Sequence, residues 1–308
     1  MKSFSDTKAT IALTLAIVLC FGCSLFFLRK IDVVRGPGLI RDTLYISSPS
    51  ALRRMSLGYT GLLADIYWTR AVQYFGSHHA RSAEEYDLLY PLLDITTTLD
   101  PKLIIAYRFG SIFLEEPPPQ GAGQPEKAIE LVKSGIQHNP NDWRLYYDLG
   151  FLQAWKLHDY LAASKTFEEG SRLPNSNVAL KVLAAAYASR GGDLETSRLL
   201  WQSAYETAAN EDIRRNAFQH LQSMKADDDV TALENLAEQY RLRTGTYPTS
   251  FSDLITAGVL RGVPLDPTGQ PYKLLPDGKI QVQDPKALPF ISKGAPPGWK
   301  YKSGLPEK

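Results

Sequence analysis

The stretch that decides the fold runs from residue 138 to residue 176 and reads "HNPNDWRLYYDLGFLQAWKLHDYLAASKTFEEGSRLPNS". It opens and closes on a proline, Pro140 and Pro174, 34 residues apart, and everything between is helix-forming. A third proline in the same setting, Pro101 in "LDPK", lies 39 residues before Pro140. That longer interval contains "EEPPPQGAGQ", residues 115–124, which reads as a loop insertion. Removing roughly five residues there restores a period near 34, the length of a repeating helix pair. The interior of the period agrees with this. "YYDLGFL" sets the large Leu149 before the small Gly150. "VLAAAY" repeats the order with Leu183, Ala184 and Tyr187, and "YRFGSIF" with Phe109, Gly110 and Phe113. A small residue there lets the first helix of a pair approach the second, and the large neighbours fill the space around the contact. The second helices are "PEKAIELVKSGIQHNP", "DYLAASKTFEEGSRLP" and "GDLETSRLLWQSAYETA". In them Ala128, Ala163 and Ser197 hold a small position, and Val132, Phe167 and Trp201 a large one. Gly135, Gly170 and Ala204 follow three residues later.

On these residues the chain resembles the tetratricopeptide repeat (TPR) family over residues 100–210. The resemblance implies an α-solenoid whose first helices line a concave groove that binds protein. The groove positions it implies are Ile104, Tyr107 and Ser111; then Arg144, Tyr147, Phe151 and Trp155; then Val178, Lys181 and Ala185. Of these, Tyr107, Arg144, Tyr147, Phe151, Trp155 and Lys181 are the expected partner-binding residues. Aromatic surface with two cations suits an extended peptide or a helix bearing an acidic group. The bland alternative is that Tyr147, Phe151 and Trp155 pack internally because the repeat register is off by one residue.

The segments around the repeats read as caps, which a solenoid needs because its terminal units otherwise expose core. "MSLGYTGLLADIYWTRAVQYFG", residues 55–76, is apolar on two sides, so one helix is expected from Leu52 to Phe75, with a partner from Arg81 to Leu99 started or interrupted near Pro91. Tyr67, Trp68, Tyr74 and Phe75 read as core, with Trp68 at a membrane–water interface as the other reading. Residues 213–226 read as the closing helix of a repeat domain spanning 51–226. No Ser-His-Asp order with supporting turns, phosphate loop or HExxH occurs. His78 and His79 are adjacent with no third ligand at metal spacing, and Glu115 and Glu116 read as solvated beside their proline run. The expectation is therefore a binding protein rather than an enzyme, with no cofactor, metal or small-molecule substrate.

Composition points the same way. The 308 residues carry a formal net charge of +1, so bulk electrostatics do not call for nucleic acid. The two cysteines, Cys20 and Cys23, both lie in the apolar stretch "IALTLAIVLCFGCSLFFL", from Ile11 to Leu28, which leaves no disulfide framework for the remainder. Those 18 uncharged residues would rise about 27 Å as a helix, enough for a bilayer core. The reading is a transmembrane anchor at 11–28 after a tail at 1–10 and before a linker at 29–50. A lipoprotein signal ending at Cys23 and a cleaved signal peptide are the alternatives. Lys2 and Lys8 before the stretch, against Arg29, Lys30, Arg35 and Arg41 after it, leave the orientation open.

The end of the chain is of another kind. A stripe of Val230, Leu233, Leu236, Ala237 and Tyr240 predicts a helix that stops at "TGTYP", residues 244–248. "SFSDLITAGVL" then gives a short helix. "VPLDPTGQPYKLLPDGKIQVQ" gives turns and a β-hairpin, Tyr272 to Leu275 against Lys279 to Gln283. This order resembles the part of type II secretion pseudopilins and related pilin-like proteins that follows their long helix. Thr244, Gly245, Tyr247, Pro248, Leu254, Pro264, Asp266, Pro267, Gly269, Pro271 and Tyr272 carry the likeness, over residues 230–275. The N-terminus departs from that family, because it lacks the glycine and the "FTLIE"-like run at which prepilins are processed. The expected organisation is thus mostly α: a transmembrane helix, a TPR-like α-solenoid, a small α+β pilin-like module at 227–290 and a tail at 291–308. The resemblance implies an inner-membrane protein with its soluble part on the periplasmic or external side. It would be a scaffold or adaptor in type IV pilus or type II secretion-like assembly. The alternatives are a cytoplasmic-facing membrane scaffold, a structural subunit, or an enzyme using Asp253 and Asp266.

Overall fold

A computed structural model describes residues 14, 16–17, 19–26, 29–30, 48–82 and 85–300. Two compact units divide the chain, Met1–Ser47 and Ser48–Lys308, and the helices named below belong to the second. The expected transmembrane helix from Ile11 to Leu28 is corrected: no helix among the described residues is long and apolar enough to cross a membrane. Of that stretch Thr14, Ala16, Ile17 and residues 19–26 are described, and they are helical. The remaining positions of 11–28, the tail at 1–10 and residues 31–47 of the linker lie outside the described residues.

The second unit is mostly helical. Helix α1 (Pro49–Met55) starts on Pro49 and on Ser48, whose hydroxyl accepts from the Ala51 N–H. It is separate from α2 (Thr60–Ala80), although the apolar pattern predicts one helix there. The break is conformational: Leu57 at φ 49° and Gly58 at φ 94° are left-handed. The partner helix α3 spans Leu89–Leu99, eight residues later than expected at its start. Pro91 falls within its first turn, where a missing N–H leaves no helical bond unmade.

Three helix pairs follow: α4 (Ile104–Glu115) with α5 (Pro125–His138), α6 (Trp143–Trp155) with α7 (Tyr160–Ser171), and α8 (Ala179–Arg190) with α9 (Leu194–Glu206). Asp142, Asp159 and Asp193 cap α6, α7 and α9 by accepting from the N–H of Arg144, Ala162 and Thr196. Gly150 is where α6 meets α7: a Cβ there would stand 2.5 Å from the Phe167 ring, so no larger residue fits without parting the helices. Phe167, Tyr187, Trp201 and their small neighbours Ala163, Ala184 and Ala217 form one buried cluster. At the start of the array Phe75 and Trp68 of α2 stack on Phe113 of α4, with ring centroids 4.0 and 6.3 Å apart.

Helix α10 (Glu211–Thr244) is a single element of 34 residues, about 50 Å long, and passes through the expected boundary at 226–227 without a break. It stops at Gly245, left-handed at φ 83°, whose N–H returns to the Arg241 carbonyl. The C-terminal module folds back onto its second half. Helix α11 (Phe251–Thr256) carries a Ser250/Asp253 capping box, and Asp266 accepts from Thr268 N, Thr268 Oγ1 and Gln270 N to close the "DPTGQ" turn. Local bonds thus engage Asp253 and the Oδ1 atom of Asp266, whereas Asp266 Oδ2 is buried with no hydrogen-bond partner among the described residues. Strand β1 (Lys273–Leu274) pairs antiparallel with β2 (Ile280–Gln281). The hairpin is shorter than predicted, because the chain beyond it turns to cover α10. Val230, Leu233, Phe251, Leu254, Ile280, Leu288 and Ile291 make the module's core. Residues 291–300, expected as a tail, belong to it: Asp227 of α10 accepts from Ser292 N, Ser292 Oγ and Lys293 N. Between array and module His220 lies flat between Trp201 and Phe290, at centroid distances of 3.8 and 3.5 Å.

Candidate functional site

The expected binding residues all come from α4, α6 and α8, the first helices of the three pairs, but only some of them reach a common face. On α6, four aromatic rings recur every fourth position and therefore stand in a row. Trp143 meets Tyr147 at 6.4 Å, Tyr147 meets Phe151 at 4.7 Å, and Phe151 meets Trp155 at 4.4 Å. Tyr147, Phe151 and Trp155 are half-buried. One side of the row rests on the core, where Tyr147 and Phe151 touch the Phe167 ring and Phe151 also approaches Tyr187. The three rings pack inward on one side and keep accessible surface on the other.

Tyr107 is not on this face. It is fully buried, and its ring lies so close to α5 that a Cβ on Gly135 would stand 2.9 Å away. Ser111 is buried as well, its hydroxyl donating to the Arg108 carbonyl. The reason is register. The 39-residue step from Pro101 to Pro140 carries Tyr107 onto Tyr146, whose Cβ in turn lies 2.7 Å from where a Cβ on Gly170 would be. The outward position equivalent to Tyr147 is therefore Arg108, one residue on. Aligning Pro101 with Pro140, a step of 39, rather than Gly110 with Gly150, a step of 40, is the signal in the sequence that finds it.

Arg108 and Asp148 join α4 to α6 through two hydrogen bonds, Nε to Oδ2 at 2.6 Å and Nη2 to Oδ1 at 3.2 Å. Burial pushes the Asp148 carboxyl above its ordinary value, and the Arg108 guanidinium opposes that shift. A second link closes the far end of the same two helices, where Lys156 lies 3.7 Å from Glu115 and 3.4 Å from Glu116. Glu115 is therefore a shielded partner of Lys156 rather than a solvated end of the proline loop. Arg144 is exposed but folds back on its own helix cap, Nε to Asp142 Oδ1 at 2.8 Å, and that guanidinium holds the Asp142 carboxyl below its ordinary value. Lys181 is half-buried and donates to Thr207 Oγ1 at 2.8 Å, beyond the end of α9. Val178 is exposed and Ala185 fully buried.

The face is thus an aromatic row with Arg108–Asp148 at the α4 side and Lys181 at the α8 side. Such a surface can stack on and hydrogen-bond a polypeptide segment. No family model matches the chain, and no curated protein or solved structure matches it either.

Proposed function

We propose that the chain is a scaffold that binds a protein partner as an extended segment along the face of α4, α6 and α8. The observation that carries this is the row Tyr147, Phe151 and Trp155, half-buried and continuous over about two helical turns. Rigid aromatic side chains that keep accessible surface give contact area with little loss of conformational freedom. Arg144 and Lys181 enter differently: Arg144 is neutralised by Asp142, so Lys181 is the cation that meets a carboxylate on the partner, after release from Thr207. The likeness of residues 230–275 to pseudopilins supports a place in the assembly of a pilus or of a type II secretion-like machine. A deletion strain with normal pili and normal secretion would remove that part of the proposal.

The test is a selection of peptides from a random library against the full-length chain. Selected peptides should carry an acidic residue beside an aromatic or aliphatic one. They should bind the Tyr147→Ala and Lys181→Glu variants more weakly, by about tenfold each, because truncating a central aromatic contact or reversing a charge costs on the order of 1–2 kcal/mol or more. Peptides that bind both variants as they bind the parent would place the binding surface on another face.

A further inference from the structure

The turn between α1 and α2 spends conformational energy to expose apolar side chains. Ser56 is buried there, and its hydroxyl donates to the Arg53 carbonyl at 2.7 Å. Around that fixed point Met55, Leu57 and Tyr59 alternate outward and are exposed, Leu57 to 87%. Leu57 sits at φ 49°, a conformation that a branched apolar residue avoids, and Gly58 follows at φ 94°. Leu62, in the first turn of α2, extends the same exposed patch. A leucine that is strained and also bare gains nothing from its own chain. Strain kept at such a place points to use outside the molecule.

Charge identifies the user. Arg53 and Arg54, the last turn of α1, are both exposed, and neither has a carboxylate within 4 Å among the described residues. Arg108, Arg144, Arg172, Arg198, Arg214 and Arg241 are each in an ion pair, and among the other arginines Arg53 and Arg54 are distinguished by standing side by side next to the exposed apolar tip. Asp65 is the one exposed carboxylate among residues 48–66 and lies a turn beyond Leu62. A protruding apolar tip beside two uncompensated guanidiniums matches the interface of an anionic bilayer, where side chains enter the acyl boundary and arginines meet lipid phosphates. A protein partner of ordinary size would need roughly 800 Å² of matched surface on each side, far more than one turn supplies.

We propose that the α1–α2 turn, through Arg53, Arg54, Met55, Leu57, Tyr59 and Leu62, is a docking surface for an anionic lipid bilayer. It lies on that surface and does not span it, and it does not depend on residues 11–28. A label at the site separates it from any other contact with lipid. In the full-length chain carrying Cys20→Ser and Cys23→Ser, Leu57→Cys takes an environment-sensitive fluorophore, and Leu242→Cys, exposed in the last turns of α10, serves as the control position. Vesicles of phosphatidylglycerol and phosphatidylethanolamine should shift the emission at position 57 to the blue and leave position 242 unchanged. Phosphatidylcholine vesicles should shift neither. Arg53→Gln with Arg54→Gln should weaken the response by about tenfold or more in vesicle concentration, since each basic residue near an anionic surface contributes on the order of 1 kcal/mol. Circular dichroism melting should not change, because neither arginine is in an ion pair among the described residues. No shift at position 57, an equal shift on neutral vesicles, or a shift that follows protein concentration without lipid would overturn the proposal. The last of these would mean that a second copy of the chain covers the turn.

Discussion

His220 is held in a place where its charge cannot be hydrated. Burial between Trp201 and Phe290 lowers its pKa from 6.5 to about 3. Between those values the unfolded imidazole binds a proton that the folded one refuses. Stability due to the neutral ring is therefore present in full above about pH 6.5 and is lost as pH falls toward about 3. The loss should amount to a few kcal/mol on the usual scale of about 1.4 kcal/mol per pKa unit. His220→Phe keeps a flat ring in the stack and removes the proton site, so urea unfolding measured from pH 7 to pH 4 should become distinctly flatter. Asp227, which lines a cavity together with His220, Arg198, Asp228 and Lys293, acts with the opposite sign, since burial raises its carboxyl. Its contribution should remain in the variant. Unchanged pH dependence in His220→Phe would assign the acid sensitivity to other groups. On the candidate face, Arg108→Ala leaves the part-buried Asp148 carboxylate alone. It should cost about 1–3 kcal/mol, while Arg108→Ala with Asp148→Ala together should cost less than the sum of the two single changes. A double-mutant cycle without coupling would show that the pair contributes no interaction of its own.

Among the elements, α10 depends most on one residue for its end. Gly245 has nothing within 4 Å of a built Cβ, so substitution there meets no clash and tests backbone conformation alone. Gly245→Ala should lower stability by about 1 kcal/mol in chemical denaturation, and Gly245→Asn by less, because asparagine tolerates the left-handed region better. Equal costs would mean that the cap conformation changes in both variants. Gly150→Ala is the complementary case. Its φ is ordinary but the new methyl meets the Phe167 ring at 2.5 Å, so α6 and α7 must separate, at a cost of about 1–3 kcal/mol. The sequence marks Gly245 as a helix stop and Gly150 as a small position of the repeat. One answers to backbone conformation and the other to a neighbouring helix, and only the second is visible as a repeat position.

At the scale of the molecule, array and module share α10 as a common element. Ending the chain at Thr244 would remove the cover from Ala226, Val230, Leu233 and Ala237. The second half of α10 should then lose amide-exchange protection and the truncated chain should self-associate. The pairs α4–α5 and α6–α7 should keep their protection, because each helix pair packs chiefly on its nearest neighbours. Hydrogen exchange read by mass spectrometry would show both. Loss of protection throughout would mean that the two halves fold as one cooperative unit.

The sequence by itself determined the helix pairs. Their ends are written locally, in Pro101, Pro140 and Pro174, in the capping aspartates and in Gly245, and their contacts in small residues such as Gly150 and Gly170. Local chemistry does not say which way a helix face points. A one-residue error in register turns a side chain by about 100° around the axis, and it moved Tyr107 from the open face to the core and hid Arg108. The same holds for α1 and α2, whose apolar pattern is continuous while the backbone at Leu57 is not. Tertiary structure alone decided the pairs formed by residues far apart in the chain, Arg108 with Asp148 and His220 with Phe290. The physical reason is that burial and ion pairing are properties of the neighbours a side chain acquires, and those neighbours lie forty to seventy residues away.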